Sequence, residues 1–345
     1  MRFSKFIALV CPDGKDPAQK YQESLTQIQL ADAHGYHGIW LSENHFSSKA
    51  GLPNFQGEIG ITPLPLMFGL QIVERTQQIR VGTAVRNIVF SNPIRVAEEA
   101  LTFDLLSKGR LDLGIGSGYR PWEFEGFRID MAEKNQRFLE AFEIIDRGMR
   151  GEPFSFKGQY FDIPEVTLVP KPYYTQPRPN LFIASGDPAL VTLAAQRDCG
   201  VMHFSTSSKD HLESVYQTYR KVAEPLGHST CRSRFPVTRQ IYIHRDPAVV
   251  DEYAQRNLPH YKAALGDFKE CPPLDVLKKR YIIGTPEECV TQLKQLQADG
   301  CDHVILWFNF GWLSHTEVMD AMTLFAEEVM PHVQSTGSTA TATTH

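Results

Sequence analysis

The stretch NPIRVAEEALTFDLLSKGRLDLGIGSG (92–118) decides how the chain folds. Asn92 can cap a free helical amide and Pro93 is already set to a helical φ, so the pair marks a helix start. Gly109 closes that helix. LDLGIG (111–116) follows as a buried strand and runs into a glycine-rich turn, Gly116-Ser117-Gly118. The unit is therefore helix, short turn, strand, loop.

The same unit recurs outward in both directions. Upstream, strands are expected at 6–10, 38–42 and 80–85, with helices at 17–34 and near 63–76. Downstream, a helix is expected at 131–149. Residues 151–179, rich in proline and aromatics, break the rhythm and suggest a small hairpin with an extended connector. Strands then return at 180–184, 200–204, 235–244 and 303–308, with helices at 188–197, 209–226, 285–298 and 316–329. Residues 246–283 are read as helix and loop. Thr285, Pro286 and Glu288 form a capping box. Eight strands alternating with helices imply an α/β fold, a (β/α)8 TIM barrel with insertions. A doubly wound open sheet is the alternative, but no GxGxxG follows the first strand. Residues 1–333 are expected to form one barrel domain, and the Ser/Thr/Ala-rich 334–345 a disordered tail.

Composition is that of an ordinary globular chain, with 42% hydrophobic and 22% charged residues among 345. The net charge of -5 and the lack of a basic run argue against nucleic acid or an acidic membrane as partner. Six cysteines, at 11, 199, 231, 271, 289 and 301, form no CxxC pair and no metal-ligand spacing, so reduced thiols and no metal are expected. The first apolar run is broken at Pro12-Asp13-Gly14, which reads as a strand rather than a secretory signal, and no stretch is long enough to span a membrane. A cytoplasmic protein is the expectation.

Five segments, in order, carry a resemblance: GYHGIWLSENHF (35–46), VGTAV (81–85), the 92–118 stretch, GEPFSFKGQYF (151–161) with its proline-rich continuation to QPRP (176–179), and IGTPEEC (283–289). Together they resemble the bacterial luciferase-like flavin-dependent monooxygenases over residues 1 to about 333. The resemblance implies a barrel that binds reduced FMN at the C-terminal ends of its strands. It implies dioxygen activation through a flavin C4a-(hydro)peroxide and oxidation of a small organic substrate. No nicotinamide-binding motif is visible, so the reduced flavin is expected from a separate reductase by diffusion. A homodimer through the helices at about 63–76 and 93–107 is also implied. Relatives of the fold that transfer hydride with a deazaflavin, or bind flavin without catalysis, are the alternatives.

Glu43, Asn44 and His45 lie just beyond the second strand, on the rim where barrel enzymes keep their chemistry. Histidine can move a proton near neutral pH and Glu43 can orient it. The residues alone read equally well as a rim histidine that holds a loop. Many family members have histidine where this chain has Asn44, and in light-emitting members that histidine is the catalytic base. Asparagine cannot titrate there but can donate a hydrogen bond. The resemblance further implies a non-prolyl cis peptide at Ala84-Val85 against the flavin ring, with Arg86 and Asn87 at its polar edge. Asn92 either touches the ring or ribityl chain or is a plain helix cap. Gly116, Ser117, Gly118 and Tyr119, with Arg120, are expected near the cofactor tail. The phosphate is placed at Ser185 and Gly186, provided Asp187 turns away to cap the next helix. Phe46, Phe55, Phe68, Phe90, Trp122, Phe124 and Trp307 either line a pocket or pack the core. Residues 266–282 match a lid in position, with Lys278, Lys279 and Arg280 as a basic turn.

Overall fold

The alternation closes into a barrel. The computed structural model describes residues 1–12, 14–46, 57–175, 177–204, 207–264, 278, 281–311 and 313–333. Its barrel strands are β1 (Arg2–Ile7), β2 (Gly38–Leu41), β3 (Arg80–Thr83), β4 (Leu111–Gly116), β5 (Asn180–Ala184), β6 (Gly200–Met202), β7 (Val237–Ile243) and β8 (His303–Trp307). Each of β1 to β5 pairs in parallel with the next, and β8 pairs with both β7 and β1. The gap between β6 and β7 is closed by a single parallel bridge, His203 to Val237. There the His203 amide donates to the Pro236 carbonyl at 2.9 Å, and the Thr238 amide donates to the His203 carbonyl at 3.0 Å.

The outer layer is α1 (Pro17–Ala33), α2 (Pro65–Arg75), α3 (Pro93–Leu106), α4 (Lys134–Gly148), α5 (Pro188–Gln196), α6 (Lys209–Ala223), α7 (Pro286–Ala298) and α8 (His315–Glu328). In α3, Val96, Ala97, Ala100, Leu101 and Phe103 recur at helical spacing and are buried against the sheet. Each large apolar side chain buried in this way contributes roughly 1.5–3 kcal/mol. The Asn92 cap and the Thr285–Glu288 capping box both form. The expected hairpin is present, Phe154–Lys157 against Asp162–Val166. The Glu140 carboxylate holds its turn by accepting from the amides of Gln159 at 2.9 Å and Tyr160 at 2.9 Å.

Inside the barrel the side chains lie in layers, as a period of two along each strand requires. The lowest layer is polar: Ser4 bonds His303 at 2.8 Å, and Arg80 grips Asp112 through two bonds of 2.9 and 2.8 Å. The middle layer is apolar, built from Phe6, Trp40, Phe182, Met202 and Ile305. Gly82 belongs there because a Cβ would stand 2.5 Å from the Trp40 ring. One step further up, the residues are Ala8, Ser42, Ala84, Gly116, Ala184 and Trp307.

Several elements differ from the sequence expectation. The first strand is Arg2–Ile7, not 6–10, and Val10–Pro12 pairs separately with Gly57–Ile59. The polar letters of RFSK concealed it. Ser4 is satisfied inside the barrel, while Lys5 points the other way and is fully buried, its Nζ 5.4 Å from the Phe308 ring centroid. The helix expected from 131 starts later: a short helix, Pro121–Phe127, and a 3-10 turn, Met131–Glu133, precede α4. Segment 246–283 holds the helix Pro247–Ala264 and also begins a strand, Ile282–Gly284, which pairs with β7. Phe55, Lys279, Arg280 and the tail at 334–345 lie outside the described residues. No described helix is long and apolar enough to cross a membrane.

Candidate active site

The upper layer makes a floor. Ala8, Ser42, Ala84, Gly116 and Ala184 are all small, and they sit directly above the bulky Phe6, Trp40 and Phe182. The ladder continues beneath them: the Ser42 amide donates to the Ile7 carbonyl at 3.0 Å and the Ala84 amide to the Leu41 carbonyl at 2.7 Å. Ala8, Ala84, Val85, Ala184 and Trp307 remain partly or fully exposed, so the floor is open at the C-terminal ends of the strands. The Ala84–Val85 peptide is cis. A Cβ on Gly116 would come within 2.6 Å of a Val85 methyl, so this position accepts nothing larger than glycine without displacing that residue. At the β8 edge, the Trp307 indole N–H and the Asn309 side-chain oxygen are buried with no hydrogen-bond partner among the described residues. A broad, shallow floor with orphaned polar atoms at its edge suits a flat ring with polar substituents.

The three rim residues after β2 do not act as one group. Alternation places Asn44 on the lumen side, above Ser42, and its side-chain amide donates to the Ser42 hydroxyl at 2.8 Å. Its oxygen accepts from Arg120, which also pairs with Glu123 at 3.3 Å. Glu43 lies on the opposite side of the strand, fully buried. One carboxylate oxygen meets Arg86 Nη1 at 2.8 Å, and the other meets His45 Nε2 at 3.0 Å and the Asn87 amide at 3.2 Å. The His45 ring packs edge-on to Phe127 at 4.8 Å and to Phe90 at 6.1 Å. Its backbone amide donates to Glu123 at 3.0 Å. Arg86, expected at a ring edge, is turned instead toward Glu43 and the Ser91 hydroxyl at 2.9 Å.

The turn after β4 keeps Gly118 at a φ of 71°, next to Phe90 and Phe124. Tyr119 is 69% exposed and lies beside the Arg120 guanidinium. Arg120 is thus tied to Asn44, Glu123 and its aromatic neighbours rather than to a phosphate position. Asn92 is exposed and accepts from the Ile94 amide at 2.9 Å, which is the cap reading of that residue.

Beyond β5, the Asp187 amide donates to the Ser185 hydroxyl at 3.0 Å. The Asp187 carboxylate turns onto the α5 amides of Ala189, at 2.8 Å, and Leu190, at 3.3 Å. The carboxylate therefore caps the helix, and the turn residues Ser185 and Gly186 remain partly exposed. Sequence reading missed His211, on the first turn of α6. A Cβ on Gly186 would fall 2.4 Å from His211 Nε2, so the imidazole lies against this turn. The only linear signal was a histidine three residues after the N-cap Ser208.

The expected aromatic lining divides. Phe68 and Phe124 are core residues, Phe90 stacks with Phe127 at 4.8 Å, Trp307 borders the floor, and Phe46 is half exposed. Trp122 is partly buried, its ring 5.9 Å from the Arg120 guanidinium. Lys278 pairs with Asp251.

A family model described as Luciferase-like monooxygenase matches residues 1–303. The flavin-dependent trigonelline monooxygenase, oxygenase component, of Acinetobacter baylyi is 26% identical, over 96% of this chain and 95% of its own. The F420-dependent glucose-6-phosphate dehydrogenase of Amycolatopsis mediterranei is also 26% identical, over 89% of this chain and 93% of its own. Among solved structures, monooxygenase RslO1 from Streptomyces bottropensis has a TM-score of 0.85 at 26% identity, covering 97% of this chain and 100% of that one. The match over most of the chain agrees with the five motifs, and the protein belongs to the luciferase-like monooxygenase family.

Proposed function

We propose that this protein is a monooxygenase that uses reduced FMN and dioxygen to oxidise a small organic substrate. The observation that carries the reading is the floor of Ala8, Ser42, Ala84, Gly116 and Ala184 at the open end of a barrel of this family. Those residues would hold the flat ring. Ser117, Gly118 and Tyr119 would flank the ribityl chain, and Ser185 and Gly186, with His211 beside them, would hold the phosphate. Bound reduced flavin supplies the electrons that let dioxygen oxidise an organic molecule.

The chain's own part is positioning and proton handling. Asn44, clamped between Ser42 and Arg120, presents an amide to the lumen that can hydrogen-bond but not titrate. His45, oriented by Glu43 from the side of the strand away from the lumen, is the rim residue that would move a proton, and the aromatic packing around it restricts its contact with water. The reduced flavin would come from a separate reductase in the cytoplasm. Support for that lies in the oxygenase-component description of the Acinetobacter relative. A homodimer through α2 and α3 fits the exposed Met67, Leu105 and Leu106 on those helices.

The relative named for F420 favours a second reading, hydride transfer with a deazaflavin. The test is a titration with reduced FMN and with reduced F420, followed by oxygen uptake and product mass, with free reduced flavin as control. FMN binding together with a product heavier by one oxygen atom supports monooxygenation. Preferential F420 binding without oxygen uptake supports hydride transfer, and FMN binding without turnover supports a non-catalytic flavoprotein.

A further inference from the structure

The opposite end of the barrel, below the polar layer of Ser4, Arg80 and Asp112, contains a cavity of about 610 Å³. Six arginines line it: Arg2, Arg80, Arg150, Arg178, Arg197 and Arg234. Their ion pairs use four carboxylates. Asp112 takes Arg80, Asp198 takes Arg234 at 2.8 Å, and Asp146 takes Arg178 at 2.6 Å and Arg150 at 3.1 Å. Arg197 is shared between Glu143 at 2.6 Å and Asp146 at 3.4 Å. The wall and its pairing partners therefore carry more guanidinium than carboxylate.

Most of these arginines also have structural work. Arg80 donates to the Gly109 and Leu111 carbonyls, Arg178 to that of Arg197, and Arg234 to that of Asp198. Arg2 does none of this: it lies exposed at the mouth of the cavity, and no hydrogen bond or ion pair engages its guanidinium among the described residues. The His37 ring touches His303 edge-on at 5.2 Å, yet neither nitrogen has a hydrogen-bond partner among the described residues. His303, by contrast, uses both nitrogens, toward Ser4 at 2.8 Å and the Ser233 carbonyl at 3.3 Å. His228 donates from Nδ1 to the Ala195 carbonyl at 2.8 Å, and its ring lines the cavity. Burial holds His37 neutral, pushed down to about 4, with Arg2 and Arg80 adding to the effect against Asp112. A neutral imidazole still offers one N–H.

We propose that this cavity binds a small phosphate-bearing anion, held by Arg2 and His37 within the excess positive charge of the wall. Guanidinium matches phosphate oxygens in geometry and charge. The volume is large enough for a phosphate ester as well as for the free ion. The site is distinct from the flavin floor, which lies at the other ends of the same strands.

The test is calorimetric titration of the full chain with inorganic phosphate and with glycerol phosphate, at constant ionic strength set by chloride. A saturable event that persists in the Ser185→Asp variant, with a rise in melting temperature, is expected. Arg2→Gln and His37→Gln should each weaken it at least fivefold, with circular dichroism and reduced-FMN affinity unchanged. Ser185→Asp, at the opposite end, should leave it unchanged. Tighter binding of glycerol phosphate assigns an ester and tighter binding of the free ion assigns phosphate itself; both support the site. Absence of saturable binding at millimolar phosphate, binding abolished by Ser185→Asp, or binding indifferent to both Arg2→Gln and His37→Gln would overturn the proposal.

Discussion

Glu43 and Arg86 form an ion pair of 2.8 Å in which the carboxylate is wholly shielded and the guanidinium nearly so. Removing one member of such a pair leaves the other charge buried without compensation, a loss of about 3 kcal/mol or more. Glu99, at 3.5 Å, and the Ser91 hydroxyl still face Arg86 and place the effect at the lower end. Glu43→Gln should therefore lower unfolding free energy by about 3 kcal/mol in urea titration. Stability equal to wild type would mean that Glu99 and Ser91 satisfy Arg86 on their own.

His45 is held by Glu43 at 3.0 Å and packed by Phe127 and Phe90. Glutamine keeps a hydrogen-bonding tip but cannot titrate near neutral pH. Acid–base assistance contributes roughly 10²–10⁴-fold in rate. His45→Gln should retain reduced-FMN binding, lose at least about tenfold in product formation, and release more free hydrogen peroxide. Affinity, product and peroxide are to be measured on one preparation. Wild-type coupling would reduce His45 to a packing residue and pass the proton to another group or to solvent.

Ser185 lies on the turn that His211 flanks, with Asp187 already turned onto the helix. Ser185→Asp adds a negative charge beside the proposed phosphate position. Reduced-FMN affinity should fall at least about tenfold, an effect of about 1.4 kcal/mol, with less loss for riboflavin, which lacks the phosphate. Equal loss for both flavins would indicate distortion of the turn, and unchanged FMN affinity would move the phosphate elsewhere.

Lys5 is fully buried without a hydrogen-bond partner for Nζ, and burial pushes its pKa down from 10.5 to about 7. Between about pH 7 and 10.5 the unfolded chain holds this proton and the folded chain does not, so the Lys5 contribution to stability rises with pH through that window. Below pH 7 both states are charged and the full penalty remains. Lys5→Met removes the charge at similar volume and should stabilise the protein by a few kcal/mol near pH 6. The advantage should shrink toward pH 9.5. Denaturant unfolding of both proteins across that range checks it; a constant difference would show that Lys5 has a charged partner in solution.

Met67 is 66% exposed on α2 and Leu106 is 55% exposed on α3. If these helices form the proposed dimer surface, sedimentation should give twice the chain mass, and Leu106→Asp should shift the equilibrium toward monomer by at least about tenfold, because a carboxylate is costly in an apolar contact. A monomeric wild type at micromolar concentration would reject the dimer.

The sequence by itself determined the barrel. Helix caps at Asn92 and at Thr285–Glu288, the closing Gly109, and the apolar strand 111–116 are encoded within a few residues of where they act, so alternation and strand order could be read directly. Local signals failed where burial was polar, as in RFSK, whose strand is stabilised by contacts with His303 and Phe308 about 300 residues away. Only the tertiary structure decided the working of the rim. Strand pleat separates Asn44 from Glu43 and His45, and barrel curvature brings Arg86 to Glu43, His211 to Gly186 and Trp307 to Phe6. These are distances between elements, set by register and closure, and no periodicity within one segment carries them.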